Sequence, residues 1–145
     1  MIGLFNECFP PIMDGVSLTV SNLAQRFWQH GEEVAVVTPE VPGLDKSRLP
    51  YKVYQYSSFP IPGRPPYRYG LPSLDFKFQK QFASEHFDIF HAHCPFSSGE
   101  YALKMARKAG VPVVATFHSK YRDDFMRAVP NKALVDYLVG KVVRF

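Results

Sequence analysis

Cysteine is scarce in this 145-residue chain: Cys8 and Cys94 are the only two, and they form neither a CxxC pair nor a spaced framework. A disulfide scaffold is excluded, and a reducing, cytoplasmic setting is the expectation. Long hydrophobic runs are missing too. No apolar stretch approaches the ~20 residues needed to cross a bilayer, and the N-terminus lacks the basic-then-apolar order of a secretory signal. Neither GxGxxG nor GxxxxGK occurs, which disfavours a dinucleotide or P-loop site. A strong charge bias is also lacking, with 17 Lys+Arg against 13 Asp+Glu, a net charge of +4 and a pI near 9.1. That balance favours an anionic partner without specifying one. Tyr67-Arg68-Tyr69 interleaves aromatic and basic residues, but no nucleic-acid motif accompanies it, so no nucleic acid is expected as a partner.

What is present is apolar residues in quantity, 46% hydrophobic and 15% aromatic, enough for one sizeable core. They fall into alternating strand and helix patterns, the signature of a doubly wound, mostly parallel α/β sheet. Strands are predicted at Ile2 to Asn6, Glu33 to Thr38, Tyr51 to Tyr56 (an edge strand), Phe87 to His93 and Val111 to Phe117. A first helix carries Val16, Val20, Leu23, Ala24, Phe27 and Trp28 on one stripe and stops at Gly31. Others are predicted from Ser73 to His86, from a Ser97 or Ser98 cap to Gly110, and from Asn131 onward after a polar turn. Residues 57–72 hold Pro60, Pro62, Pro65, Pro66 and Pro72 with Gly63 and Gly70, and read as a stiff exposed loop without regular structure. Leu134, Leu138, Val142 and Phe145 keep helical spacing to the last residue, as expected of a piece of a longer protein.

Ligands of such sheets sit outside the carboxyl ends of the strands. Three clusters fall there: the Asn6 to Gly15 loop, His93-Cys94-Pro95, and His118-Ser119-Lys120-Tyr121-Arg122. In Asp14-Gly15-Val16 the glycine lets backbone approach a ligand closely. The helix behind it is expected to aim unpaired N–H groups and its positive dipole end at a phosphorylated group. His118 is suited to hydrogen-bond a sugar hydroxyl or to stabilise developing positive charge; equally, it reads as a strand-end histidine satisfied by a neighbouring carbonyl. His91 and His93 share a strand face, but with Cys94 and His118 they lack suitable spacing for a fourth ligand, so no metal is expected. Asp123 and Asp124 diverge at the solvated start of a short helix. Cys8 has no helix of its own to lower its pKa. Lys104, Arg107 and Lys108 form an exposed basic face, open to a membrane surface.

Phe9-Pro10-Pro11, Asp14-Gly15-Val16, Leu23-Ala24, Gly31-Glu32-Glu33-Val34 and Val37-Thr38-Pro39 together resemble the start of a family 4 retaining glycosyltransferase. His91-Ala92-His93-Cys94-Pro95 with Gly99, Ala102 and Ala106 is similar to a second signature. Val111-Pro112-Val113-Val114-Ala115-Thr116-Phe117-His118-Ser119 is similar to the family's P-V-V-x-T-x-H strand. The resemblance implies a GT-B enzyme that moves a sugar (a hexosyl group) from a nucleotide-sugar donor to a lipid or glycan acceptor, without a cofactor. Residues 1–145 would be its single N-terminal, acceptor-side Rossmann-like domain. Gly15 would lie against the donor diphosphate and His118 beside the transferred sugar, as the catalytic residue. Asp14, Val16, Ser119, Lys120, Tyr121 and Arg122 would face the acceptor. Many members carry Gly-Gly where this chain has Asp14-Gly15, a departure familiar in lipid- and mannose-modifying branches. The C-terminal donor-binding domain lies outside this sequence, so the domain alone is expected to be inactive. The implied location is cytoplasmic, with peripheral contact at the inner membrane face. A sugar-phosphate or anionic-lipid binding module without catalysis is the alternative from another class, and a flavodoxin-like or nucleotide-dependent oxidoreductase domain is a third.

Overall fold

A computed structural model describes residues 1–119, 121–128 and 131–143. Its elements run β1 (Ile2–Phe5), α1 (Gly15–Gln29), β2 (Val34–Pro39), β3 (Lys52–Tyr56), β4 (Ser58–Pro60), β5 (Arg68–Gly70), α2 (Phe76–Ala83), β6 (Ile89–Ala92), α3 (Ser97–Ala109), β7 (Val113–Ala115), α4 (Tyr121–Ala128) and α5 (Lys132–Val143). Five strands form one sheet in the order β3-β2-β1-β6-β7, with every neighbouring pair parallel. The order reverses between β1 and β6, and a crevice at the carboxyl ends of those strands is where a doubly wound sheet binds ligands.

Strand alternation divides the core into two layers. Phe5, Ala35, Val37 and Phe90 point to one face, where Phe78 and Phe82 of α2 and Tyr101, Ala102 and Ala106 of α3 cover them. Leu4, Val34 and Val36 point to the other, under Val20 and Ala24 of α1. The first layer is strongly aromatic: Phe82 stacks on Phe87 at 4.7 Å and meets Phe5, Phe90 and Tyr101 at 5.6–6.0 Å. Each such fully buried ring contributes about 1.5–3 kcal/mol. The five strands stand where periodicity puts them, and β3 is the edge strand that its weak alternation predicts. Gly110 ends α3 in the left-handed conformation, φ 71°, a geometry that glycine adopts without steric cost.

Two segments depart from the sequence reading. The proline-rich stretch is a hairpin: β4 and β5 pair antiparallel, Ser58 with Gly70 and Pro60 with Arg68. Its remaining loop prolines lie between or beyond the paired residues, and a two-stranded ribbon has edges on which Pro60 is tolerated. α2 is shorter than its pattern because Asp75 caps it, accepting a hydrogen bond from the Phe78 N–H at 2.9 Å. The short helix expected at Asp123 and Asp124 is α4, which opens two residues earlier, at Tyr121. Phe145, the last residue of the apolar pattern, lies outside the described residues.

Candidate functional site

The loop after β1 builds the centre of the rim. Asn6 is buried and turns the chain by donating from Nδ2 to the Cys8 carbonyl at 2.8 Å. Glu7 then reaches across to α3. Its carboxylate accepts from the Ser98 N–H at 2.7 Å and from the Ser97 hydroxyl at 3.0 Å. The helix therefore begins without a side-chain cap of its own; Ser97 is its first residue, not its cap. Burial raises the Glu7 carboxyl above the ordinary range, opposed by the hydrogen bonds it accepts from α3.

At the end of the same loop, Asp14 caps α1. Oδ1 accepts from the Val16 and Ser17 N–H groups at 2.9 and 2.7 Å, and the Ser17 hydroxyl accepts from the Asp14 N–H. Two of the N–H groups expected to greet an anion are thus already taken by a carboxylate, so the helix end is not an open anion hole. Gly15 keeps its distinguishing property: it is exposed, and a Cβ built on it meets nothing within 4 Å. Val16 packs against the α1-side core. Cys8 donates its thiol hydrogen to Asp14 Oδ2 at 2.8 Å, and burial with this neighbour pushes the thiol well up, away from thiolate chemistry.

The hairpin closes over this corner. A cavity of about 410 Å³ lies between Glu7, Phe96 and the hairpin residues Ile61, Arg64, Tyr67, Arg68 and Tyr69. Burial and the nearby Asp14 carboxylate raise the Tyr67 phenol, which ties the cavity to the Asp14-Gly15 turn. Arg68 is held by Ser58, donating to its hydroxyl and carbonyl at 2.8 Å.

His118 follows β7, two strands from β1 and beyond β6. The Thr116 N–H donates to the Ala92 carbonyl at 2.9 Å, extending the β6–β7 register toward the rim. His118 then pairs with His93, Nε2 to Nδ1, at 2.9 Å. His91 lies beside His93 with ring centres 4.0 Å apart, and its Nε2 is 2.7 Å from the Thr116 hydroxyl. Burial and the neighbouring imidazoles pull His93 down to about 3, so it is neutral. Among the described residues no group of three His, Cys, Asp or Glu is arranged to hold a metal ion.

Of the other residues predicted to face an acceptor, Ser119 is exposed and Arg122 is ion-paired with Asp136 of α5 at 2.8 Å. Tyr121 starts α4, and Lys120 lies outside the described residues. His93 stands at the rim where its cluster was placed, and two further groups join it that were not singled out for a role: Glu7 and Tyr67. The one local signal was position, since Glu7 and His93 each stand within two residues of a strand's carboxyl end.

A parallel sheet with helices on both faces and a reversal point between β1 and β6 define a Rossmann-like domain. The family model of Glycosyltransferase Family 4 matches residues 13–143, and the chain belongs to that family. It is 31% identical over 148 residues to the alpha-monoglucosyldiacylglycerol synthase of Acholeplasma laidlawii, covering 97% of this chain and 36% of that protein. It is 29% identical over 134 residues to the alpha-monoglucosyldiacylglycerol synthase of Streptococcus pneumoniae, covering 84% of this chain and 27% of that protein. The chain therefore spans about a third of the length of these relatives or less.

Proposed function

We propose that this chain is the acceptor-side lobe of a retaining glycosyltransferase that moves a hexosyl group from a nucleotide-sugar to the hydroxyl of a diacylglycerol-like lipid. The observation that carries the reading is the largely apolar cavity beside the Asp14-Gly15 turn, in a family 4 domain similar to two proteins named for a glycosylated diacylglycerol. Ile61, Tyr67, Tyr69 and Phe96 suit the apolar body of such an acceptor. The half-buried Glu7 and the two arginines suit its polar end.

In this reading the chemistry is positional and electrostatic. Gly15 lets the donor diphosphate approach the backbone, as the open space around it allows. His118 contacts a hydroxyl of the transferred sugar and stabilises the oxocarbenium-like transition state. The acceptor hydroxyl is held near the anomeric carbon, which lowers the entropic part of the barrier. Asp14 and Val16 shape the acceptor side from beneath, through the cap and the core. Ser119 to Arg122 border it from the β7 side. A second domain, outside residues 1–145, supplies the nucleotide pocket in this reading.

Membrane contact belongs to the same proposal. Leu74 and Phe76 are 66% and 83% exposed at the start of α2. Lys104 on the exposed basic face of α3 reaches Ser73 just before them, at 3.5 Å. Apolar residues beside lysines suit an anionic lipid surface, and among the described residues no helix is long and apolar enough to cross a membrane. The test is the full-length protein assayed against a panel of nucleotide-sugars with diacylglycerol and glycan acceptors. Transfer to diacylglycerol that is lost in His118→Ala at equal folded concentration is the expected result. No transfer with any donor, or equal rates in parent and variant, overturns it.

A further inference from the structure

His93 is buried at the rim: it is 1% exposed, and its Nε2 is shut from solvent with no partner among the described residues. Its other nitrogen, Nδ1, is 2.9 Å from His118 Nε2. Two facing ring nitrogens can share one hydrogen between them, so one ring donates and the other accepts. If His118 donates from Nε2, a neutral His93 must carry its proton on Nε2. That places an N–H in a closed space with nothing to receive it, and orphaned buried N–H groups are among the rarest features of folded proteins. If His93 donates from Nδ1, its Nε2 is only a bare lone pair.

We propose that His93 is a positioning residue that donates its Nδ1 hydrogen to His118 and thereby fixes His118 as the Nδ1–H tautomer, offering the ligand a donor where the other tautomer offers a lone pair. The surroundings hold this arrangement. His91 covers one side of the His93 ring and is itself tied to Thr116 at 2.7 Å. The Thr116 N–H bond to Ala92 fixes the backbone two residues before His118. The His93 and His118 rings lie 5.2 Å apart at 21°, close to parallel, so neither turns without breaking the pair. His118 Nδ1 has no partner among the described residues, which leaves it for a ligand oxygen. A donor there matches a sugar hydroxyl oxygen; a lone pair would seek the hydroxyl's hydrogen instead.

This inference rests on the reading of His118 as the sugar contact, and the experiment separates the two. Long-range ¹H–¹⁵N spectra of the full-length protein, labelled with ¹⁵N-histidine, report which nitrogen of each ring is protonated. His118 is expected with a protonated Nδ1 and a bare Nε2; the opposite pattern overturns the proposal without reference to activity. His93→Phe keeps a buried ring but removes the donor. It is expected to lose the single-tautomer signature of His118 and to lower kcat by at least about tenfold, with KM for the acceptor little changed. His93→Asn restores an amide N–H near the same place and is expected to recover both. Retention of the Nδ1–H signature in His93→Phe overturns the proposal. The expected wild-type spectrum with unaltered rates in both His93→Phe and His118→Ala upholds the proton assignment and defeats the reading of His118 as the sugar contact.

Discussion

Replacing Gly15 with alanine separates binding from folding more cleanly than any other change at the rim. Gly15 is the first residue of α1, its φ is not positive, and a Cβ there meets no atom within 4 Å. The substitution therefore creates no clash and removes conformational freedom from the unfolded chain, a gain of about 0.4–1 kcal/mol. For a domain of this size that raises Tm by about 1–4 °C. The same methyl group stands where the diphosphate is proposed to approach the backbone. Displacing it by even ~1 Å is enough to cost about 100-fold in rate, because reacting groups lose their alignment. Full-length Gly15→Ala and parent are compared by thermal melting and by titration with nucleotide-sugar. An equal or higher Tm with a weaker donor Kd is the expected pair. Unaltered donor affinity and turnover refute the placement of the diphosphate, and a marked fall in Tm refutes the claim that the position is sterically open.

Gly70→Ala tests the hairpin in the opposite sense: the new Cβ would lie 2.1 Å from Cε2 of the fully buried Tyr56, whose ring is packed on Phe78 at 5.3 Å, so a loss of about 1–3 kcal/mol is expected by urea titration. Acid should weaken the domain through the histidines. His93 is held down to about 3 and His91 is lowered, so unfolded imidazoles take up protons near 6.5 before the folded ones do. Stability is then full above about pH 6.5 and falls as pH drops toward 3, by about 2 kcal/mol at pH 5 for His93 alone. Glu7, raised by burial, acts in the reverse direction, so the informative measurement is the pH 7.5-to-5 change in urea midpoint, which should shrink in His93→Phe. Leu74→Ser with Phe76→Ser should reduce co-sedimentation of the full-length protein with anionic vesicles and leave binding of soluble nucleotide-sugar intact; undiminished sedimentation counts against that surface.

Much of this architecture was legible because it depends on local periodicity. The apolar runs at Val34 to Val37 and Val113 to Ala115, and the stripe from Val16 to Phe27, carry strand and helix assignments without knowledge of their neighbours. Gly31 and Gly110 mark their helix ends for the same reason. The features that escaped are those made across the fold. The Glu7 carboxylate that starts α3 is 91 residues from the Ser98 N–H it accepts, and nothing near Phe96 announces a borrowed cap. The His93–His118 pair joins two strand ends 25 residues apart. The proline-rich stretch misled because proline density was read as excluding strands, whereas Ser58 to Pro60 and Arg68 to Gly70 need partners on one side only. The free N–H groups expected at the start of α1 were a local reading too, and it is the Asp14 carboxylate that takes two of them.

The β4–β5 hairpin is fastened to the domain at its base, and Tyr67 near its tip faces the Asp14 carboxylate. Asp75 accepts from the Ser57 N–H and hydroxyl at 2.8 and 2.7 Å, the Ser58 hydroxyl reaches the Glu40 carbonyl at 2.9 Å, and Gly70 lies flat on Tyr56. Ile61 to Tyr67 hang beyond those fastenings and supply one wall of the hollow. Because the fastenings all lie at the base, changes at Ile61 to Arg64 are expected to reshape the guest's side of the hollow while the strands beneath keep their register, whereas a change at Tyr67 also reaches the Asp14 cap.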